Sequence, residues 1–421
     1  MSERSSLVRG MRDLYEDELA NIRLVETVFS ETLESYGYAL IRLPIMERTA
    51  LFSRGIGEAT DAVSKEMFTF DDETESLSLR PEGTASCVRA VIDANMYRGH
   101  QPKLWYIGSM FRHERPQLGR YREFYQVGAE AFGFSGPDVD TELIRIVQDV
   151  WESLELAEEI TLEINTLGNT PSRKQHRDAL VEYLAQYKAQ LDEDSQRRLE
   201  QNPLRILDSK NEQTQKIIEQ APSISDYLDA ESRRHFDEFQ ERLVRLGIRA
   251  TVNPNLVRGL DYYTHSVFEW NTDKLGAQKQ VGGGGRYDGL CELLGGAPCP
   301  AAGFAIGVDR VALLRNELGL ASQASSPDVY VVALSDDEED YALQVAAKVR
   351  AASSLSVRVH QGAGKVKARM RAADRSGATI ALIIGAQEAA SNQVSLKWLR
   401  INREQVTVPV AELPSTLLNS N

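Results

Sequence analysis

Two β-rich runs, Lys103–Arg112 and Glu123–Gly133, are joined by a short polar loop. Their composition and spacing predict an antiparallel pair, which fixes a sheet at the centre of whatever this chain forms. Arg112, Arg115, Arg120 and Arg122 fall within eleven residues of that join, followed by Phe124 and Tyr125. Arginines on opposed strands can grip a polyphosphate, and an aromatic ring beside them can stack on a purine. Glu130 lies four residues past Gln126, so on a strand both face the same side. An ordinary basic hairpin is the plainer alternative.

A chain of 421 residues exceeds the usual size of one domain. Its 42% hydrophobic and 26% charged residues are ordinary for a soluble globular protein. No stretch approaches the roughly 18 apolar residues of a membrane span. The start, MSERSSLVRGMRD, is charged and lacks the apolar centre of a signal peptide. Cys87, Cys291 and Cys299 form no CxxC pair, which suggests reduced thiols in a cytoplasmic protein and no cysteine-rich zinc site. A net charge of −14 argues against a general nucleic-acid coat but not against a local basic patch. One such run is Lys365, Lys367, Arg369, Arg371 and Arg375; it reads either as a solvated helix face or as an RNA contact.

Residues 17–37 place Leu19, Ile22, Val25, Phe29, Leu33 and Tyr36 on one helical stripe, stopped by Gly37. YALIRLP then reads as a strand ending before Pro44. Residues 168–248 change character: they are rich in Gln, Glu, Arg and Asp at helical spacing, a helical insertion between two β-rich halves. Strand patterns return at Ala250–Asn253, Val267–Glu269 and Gln278–Val281. Leu320–Pro327 is a small-residue linker. Beyond it β and α patterns alternate over about 95 residues, as in a compact α/β domain with a mostly parallel sheet.

Four more stretches carry candidate chemistry. In RPEGT, Arg80–Thr84, a buried acid before a Gly-Thr turn could bind an ammonium group; alternatively Thr84 caps a helix with Glu82 near its dipole. LVRGLDYYT, Leu256–Thr264, sets Arg258, Tyr262 and Tyr263 around Gly259, a mix suited to a small polar substrate beside an anion, or to a surface strand and turn. VGGGGRYDG, Val281–Gly289, lets backbone approach a ligand or makes a flexible turn, and it lacks the ending of a Walker loop. In GFAIGVDRVALL, Gly303–Leu314, Arg310 begins a helix against its dipole and should therefore have an anionic partner, whether a ligand or a salt bridge.

Taken in this order, the stretches resemble the histidyl-tRNA synthetases, a family of class II aminoacyl-tRNA synthetases. The resemblance covers essentially the whole chain. YGYALIRLPIME resembles motif 1, a dimer element. FRHERPQ…GRYREF resembles motif 2, and GFAIGVDR motif 3. LVRGLDYYT and GGRYDG resemble the two peptides particular to histidine-specific members. The implied fold is α/β with an α+β catalytic domain over residues 1–325: an antiparallel sheet flanked by helices, with a helical insertion at about 168–248. A C-terminal α/β anticodon-binding domain over 326–421 completes it.

The implied reaction joins L-histidine to ATP as histidyl-adenylate, releasing pyrophosphate, then transfers histidine to the 3′ end of tRNA(His). By motif match, Arg112 would hold the α-phosphate and Arg310 the γ-phosphate, with Arg258 also on the α-phosphate as a catalytic charge. Arg120 would grip the outer phosphates and Phe124 stack on adenine. Glu82 and Thr84 would bind the α-amino group, and Gln126 the carboxylate side. Glu130 and Tyr263 would bracket the imidazole, within a pocket lined by Tyr262 and Tyr287. Arg115 and Gln117 would touch the acceptor end of the tRNA. Mg²⁺ would arrive with ATP, with no protein metal site, and the protein would be a cytoplasmic homodimer with no membrane partner. Two departures are a GGGGRYD run where relatives often carry alanine or serine early, and Tyr125 where histidine is common. The regulatory subunit of ATP phosphoribosyltransferase, a histidine sensor, is the alternative; such paralogues lack the C-terminal domain.

Overall fold

In the computed structural model, residues 5–418 are described, apart from 58–59, 73 and 277–278. The chain divides into two compact units, Met1–Gln323 and Ala324–Asn421. The first is built on a sheet of eight strands: β1 (Ala39–Leu40), β2 (Lys103–Phe111), β3 (Glu123–Phe132), β4 (Thr161–Thr166), β5 (Thr251–Val252), β6 (Thr264–Asn271), β7 (Gln280–Arg286) and β8 (Ala301–Gly307). Their order is β1-β2-β3-β8-β7-β6-β4-β5. The pairs between β2 and β4 are all antiparallel, and only the edge pairs β1–β2 and β4–β5 are parallel. The arginine-bearing hairpin is therefore real, and β8 lies against its second strand.

Alternation along each strand decides what each face meets. Trp105, Val127, Ala129, Phe268, Trp270 and Phe304 point to one face. There the helices Glu16–Ser35, Pro137–Ser153, Ala230–Arg245 and Val308–Glu317 pack over them, and Ile22, Val25, Phe29 and Leu33 of the first helix are buried as its stripe predicts. Leu19 is not: it is more than one-third exposed, and Tyr36 is only half-buried, its hydroxyl donating to Asp149 at 2.5 Å. Gly37, at φ +77°, closes that helix in the left-handed region. On the opposite face lie Leu104, Tyr106, Phe132 and Val267, joined by the helix Thr84–Asp93 and by Tyr262, Tyr263 and Tyr287.

The YALIRLP strand is shorter than its pattern suggests. Only Ala39–Leu40 pairs, because the Arg80 guanidinium takes the carbonyls of Leu43 and Pro44. The strand expected at Gln278–Val281 extends through the glycines to Arg286, and Gln278 itself lies outside the described residues. The glycine run is thus a central strand, not a flexible turn. It is glycine because its neighbours leave no room: a Cβ at Gly284 would run into the carbonyl oxygen of Gly303 on β8.

Residues 170–245 form four helices joined by short 3-10 turns. Each helix opens on an Asn or Asp whose side chain accepts a backbone N–H: Asn169 from Ser172, Asp192 from Ser195, Asn211 from Thr214 and Asp229 from Ser232. Leu180, Leu184, Leu199, Leu204, Ile206 and Ile217 give this insertion its own core.

The second unit holds five strands in the order Val357–Val359, Val329–Ala333, Ile380–Ile384, Gln393–Trp398, Val406–Pro409. Two of the four pairings are parallel and two antiparallel, so the sheet is less parallel than expected. The last connections are too short for the dozen or so residues of a parallel crossover. Within the basic run, Arg369 is buried, pairing with Asp336 and donating to the Ala333 carbonyl at 3.0 Å. It holds the fold, which leaves its neighbours to face outward.

Gly284→Ala should lower stability by about 1–3 kcal/mol through overpacking between β7 and β8. Gly289→Ala, at φ −87° with nothing within 4 Å of the added carbon, should stay within about 0.5 kcal/mol of the parent. Denaturant midpoints of the two variants check this.

Candidate active site

A cleft of about 1330 Å³ opens on the tyrosine face of the large sheet. Glu82, Thr84, Arg112, Arg120, Phe124, Gln126, Arg258, Tyr262, Tyr263, Tyr287 and Arg310 all line it. Six separated stretches of sequence therefore converge on one space.

The arginine end is built by the β2–β3 hairpin and the start of the helix Val308–Glu317. Arg112 Nε donates to the Pro81 carbonyl at 2.9 Å, and its guanidinium lies 5.4 Å from the centroid of the Phe124 ring. Arg120 pairs with Glu114 at 2.6 Å. Among the described residues Arg310 has no salt bridge: it donates to two backbone carbonyls, Gly119 at 3.1 Å and Gln280 at 2.6 Å, so of the two anionic partners expected the internal one is not seen. Burial, then repulsion from Arg120, lowers its pKa to about 10. The adjacent Asp309 turns away, accepting from the Tyr125 N–H at 2.6 Å and pairing with Arg12. Arg112 and Arg120 share Glu114, at 4.0 and 2.6 Å, while Arg310 has no salt bridge among the described residues, so this end of the cleft favours an anion.

The amino-terminal segment braces the same end. Arg122 N–H donates to the Gly10 carbonyl at 2.7 Å, and the Arg12 guanidinium sits 3.9 Å above the Tyr121 ring. Gly10 has φ +89° and lies so close to Arg122 that a Cβ would press on its side chain.

At mid-cleft, Arg258 donates to Glu269 of β6 at 2.6 Å, and its Nε has no acceptor among the described residues. It lies across Gly283, where a Cβ would come within 2.6 Å of Nη1. The second glycine of the run therefore makes room for this side chain.

The deep end surrounds Glu130, which is fully buried on β3. Its Oε1 accepts from the hydroxyls of Thr84 at 2.7 Å and Tyr106 at 3.0 Å, and its Oε2 accepts from Tyr287. Glu130 pairs across the sheet with Gly303, where any Cβ would collide with the carboxylate. Burial pushes its pKa up to about 8, although the hydroxyls favour the charged form. Glu82 takes the capping position that Thr84 might have filled: its oxygens accept the Thr84 and Ala85 N–H groups at 2.7 and 2.9 Å. Burial raises its pKa, opposed by those bonds. Tyr262 and Tyr263 are buried with ring centroids 4.7 Å apart, and Tyr287 stands edge-on to Tyr262 at 5.5 Å. Gln126, on the same side of β3 as Glu130, lines the cleft, and its buried Oε1 has no hydrogen-bond partner among the described residues.

Three predicted residues are absent from the cleft lining: Glu130 lies fully buried behind Thr84 and Tyr287, which do line it, and Arg115 and Gln117 are exposed on the hairpin loop. Tyr106, Glu114 and Glu269 were missed by sequence reasoning. Tyr106 and Glu269 sit in ordinary strand patterns, and only the register shows what they meet. The described residues include no cluster of three or more side chains able to hold a metal. Glu114 and Glu269 are each engaged by arginine.

Comparison with known proteins agrees with this geometry. The family model for histidyl-tRNA synthetase matches residues 10–311, and that for an anticodon binding domain matches 328–420. A histidine–tRNA ligase of Neisseria meningitidis serogroup A is 50% identical over 426 residues, covering 99% of each chain. The crystal structure of apo histidyl-tRNA synthetase from S. aureus superposes with a TM-score of 0.82 at 34% identity, covering 98% of this chain and 100% of that one. A structure from Bacillus halodurans, described as an ATP phosphoribosyltransferase regulatory subunit/histidyl-tRNA synthetase, shares the fold at TM-score 0.65 and 21% identity, covering 92% of this chain and 100% of that one. With the arginine end, the glycine strand and the tyrosine pocket all in place, the chain belongs to the histidyl-tRNA synthetase family.

Proposed function

We propose that the cleft activates L-histidine with ATP, giving histidyl-adenylate and pyrophosphate, and then passes the histidyl group to the 3′ end of tRNA(His). The observation that carries this reading is the joining, in one cleft, of an arginine end and a buried Glu130–tyrosine pocket. The first suits a triphosphate and the second an imidazole. The histidine-sensor alternative ranks behind, because the ligase at 50% identity matches the chain over its full length.

Phosphoryl chemistry of this kind needs positioning and charge, not a nucleophilic side chain. The carboxylate of histidine attacks the α-phosphorus, and pyrophosphate leaves in line. Arg112 and Arg258 flank the reacting phosphate, neutralising charge as it grows. Arg310 and Arg120 hold the outer phosphates, and Phe124, beneath Arg112, stacks on adenine. Mg²⁺ enters with ATP on its phosphate oxygens, as part of the substrate. Glu82 and Thr84 face the α-ammonium group, and Gln126 meets the carboxylate side. Glu130 accepts from the imidazole N–H while the Tyr263 hydroxyl donates to the other nitrogen. A site of paired donors and acceptors discriminates strongly, because a wrong side chain leaves them unmatched. Arg115 and Gln117, exposed at the hairpin tip, meet the tRNA acceptor end in this reading, and the second unit, matched by the anticodon binding domain model, binds the anticodon.

The same reading assigns a homodimer through the motif 1 region, where Leu40, Ile45, Met46 and Phe70 are each about half exposed. No helix among the described residues is long and apolar enough to cross a membrane. The three cysteines are free, and the reading places the protein in the reducing cytoplasm.

Arg258→His should cut histidine-dependent ATP–pyrophosphate exchange by at least about 100-fold while thermal unfolding stays near that of the parent. Near-normal exchange would remove Arg258 from the catalytic set. Removing residues 327–421 should depress tRNA charging at least about tenfold more than exchange; equal losses would count against a separate anticodon function. Burial pushes the Glu130 carboxyl up to about 8, so below that pH a proton competes with the imidazole for it. A neutral imidazole N–H needs the carboxylate as acceptor, so binding displaces that proton. The histidine KM should therefore fall as pH rises from about 7 to about 8.5. Glu130→Gln should abolish this slope, and a slope persisting in that variant would assign it to another group.

A further inference from the structure

The segment Leu256–Tyr263 carries Arg258 and both pocket tyrosines, yet it is neither helix nor strand. Its shape is held from outside. The Asp261 N–H donates to Ile56 at 3.0 Å. The carbonyls that bracket Tyr262 go to one side chain of the helical insertion: Arg173 Nη1 donates to Asp261 O at 2.8 Å and to Tyr263 O at 3.1 Å. Two further insertion residues reach the same segment. Asn202 Nδ2 donates to the Asp261 carboxylate at 2.7 Å. The Arg205 guanidinium lies 3.1 Å from where a Cβ of Gly259 would stand.

We propose that Arg173 is a positioning residue for the histidine pocket, the link through which the helical insertion sets Tyr262 and Tyr263. This rests on the reading that those tyrosines receive histidine. The held carbonyls fix the peptide plane before Tyr262 and the one after Tyr263, and so restrain from both ends the backbone that carries the two rings. The Tyr263 hydroxyl must meet a ring nitrogen to within a fraction of an ångström, so a small rotation of the segment weakens the amino acid before it weakens the nucleotide. Three of the four arginines assigned to ATP, Arg112, Arg120 and Arg310, lie on other elements, and the fourth, Arg258, is tied independently to Glu269 of β6. Arg173 is also separable from the stability of its own helix. That helix packs through Leu180 and Leu184 and is capped by Asn169, none of which depends on the guanidinium.

The test uses the full chain, with pyrophosphate exchange measured against histidine and ATP separately. Arg173→Met keeps the aliphatic stem and the helix propensity but removes the donors. It should raise the histidine KM about tenfold while the ATP KM moves less than about twofold. Arg173→Lys, which restores one cationic donor, should recover most of the loss. Asn202→Asp sets two carboxylates against each other at Asp261 and should shift the histidine KM in the same direction; it decides the matter if Arg173→Met does not fold. A histidine KM unchanged in the folded variants overturns the proposal. So does a parallel rise in both KM values that tracks a fall in melting temperature. A parent protein without histidine-dependent exchange would instead overturn the reading of the cleft on which the proposal rests.

Discussion

The cleft depends on backbone that carries no side chains. Along β7 and at Gly303 of β8, two neighbouring strands present bare peptide toward the ligand space. Arg258 lies across Gly283, and Glu130 occupies the volume a Cβ would need at Gly303. A single methyl group at either place would displace a charged side chain that the site is built around. Glycine usually weakens a strand, because it gives up more chain entropy and packs nothing. Here that cost is offset by position: β7 is central, bonded on both sides by β6 and β8. The sheet supplies the order that the glycines do not.

Charge is distributed along the cleft in a matching way. One end concentrates guanidinium groups on few carboxylates, and burial makes Arg310 easier to deprotonate than an arginine in water. The other end buries a carboxylate among phenols, and burial makes it hard to ionise. Each end is thus electrostatically incomplete, with opposite sign. A ligand that is anionic at one end and a hydrogen-bonding ring at the other relieves both. Arg258 sits between them, already paired with Glu269, as a cation fixed before any ligand arrives.

Much of this was legible in the sequence. The hairpin, the insertion, the linker and the converging stretches follow from hydrophobic periodicity and from clustered polar residues. Family resemblance then supplied roles that spacing alone leaves open. What stayed hidden depends on register and on distant contacts. Nothing local marks Tyr106 as a partner of Glu130, since it reads as one more strand aromatic; the pairing of β2 with β3 places Leu104 opposite Glu130 and so brings Tyr106 onto its face. Glu269 looks like a polar residue in an alternating strand until β6 is laid beside β7. The helix dipole calls for an anionic partner to Arg310, ligand or salt bridge, and the sequence could not show that the adjacent Asp309 is taken by Arg12, almost 300 positions away. Arg369 shows the converse, a basic run in which one member is spent on the fold.

That long-range tie has a practical side. Arg12 meets Asp309, while the Gly10 carbonyl receives Arg122, so residues 10–12 are stitched to both elements that carry the arginine end. A substitution in this stretch, remote from the cleft in sequence and outside its lining, is therefore an edit to the frame on which the guanidinium groups are mounted.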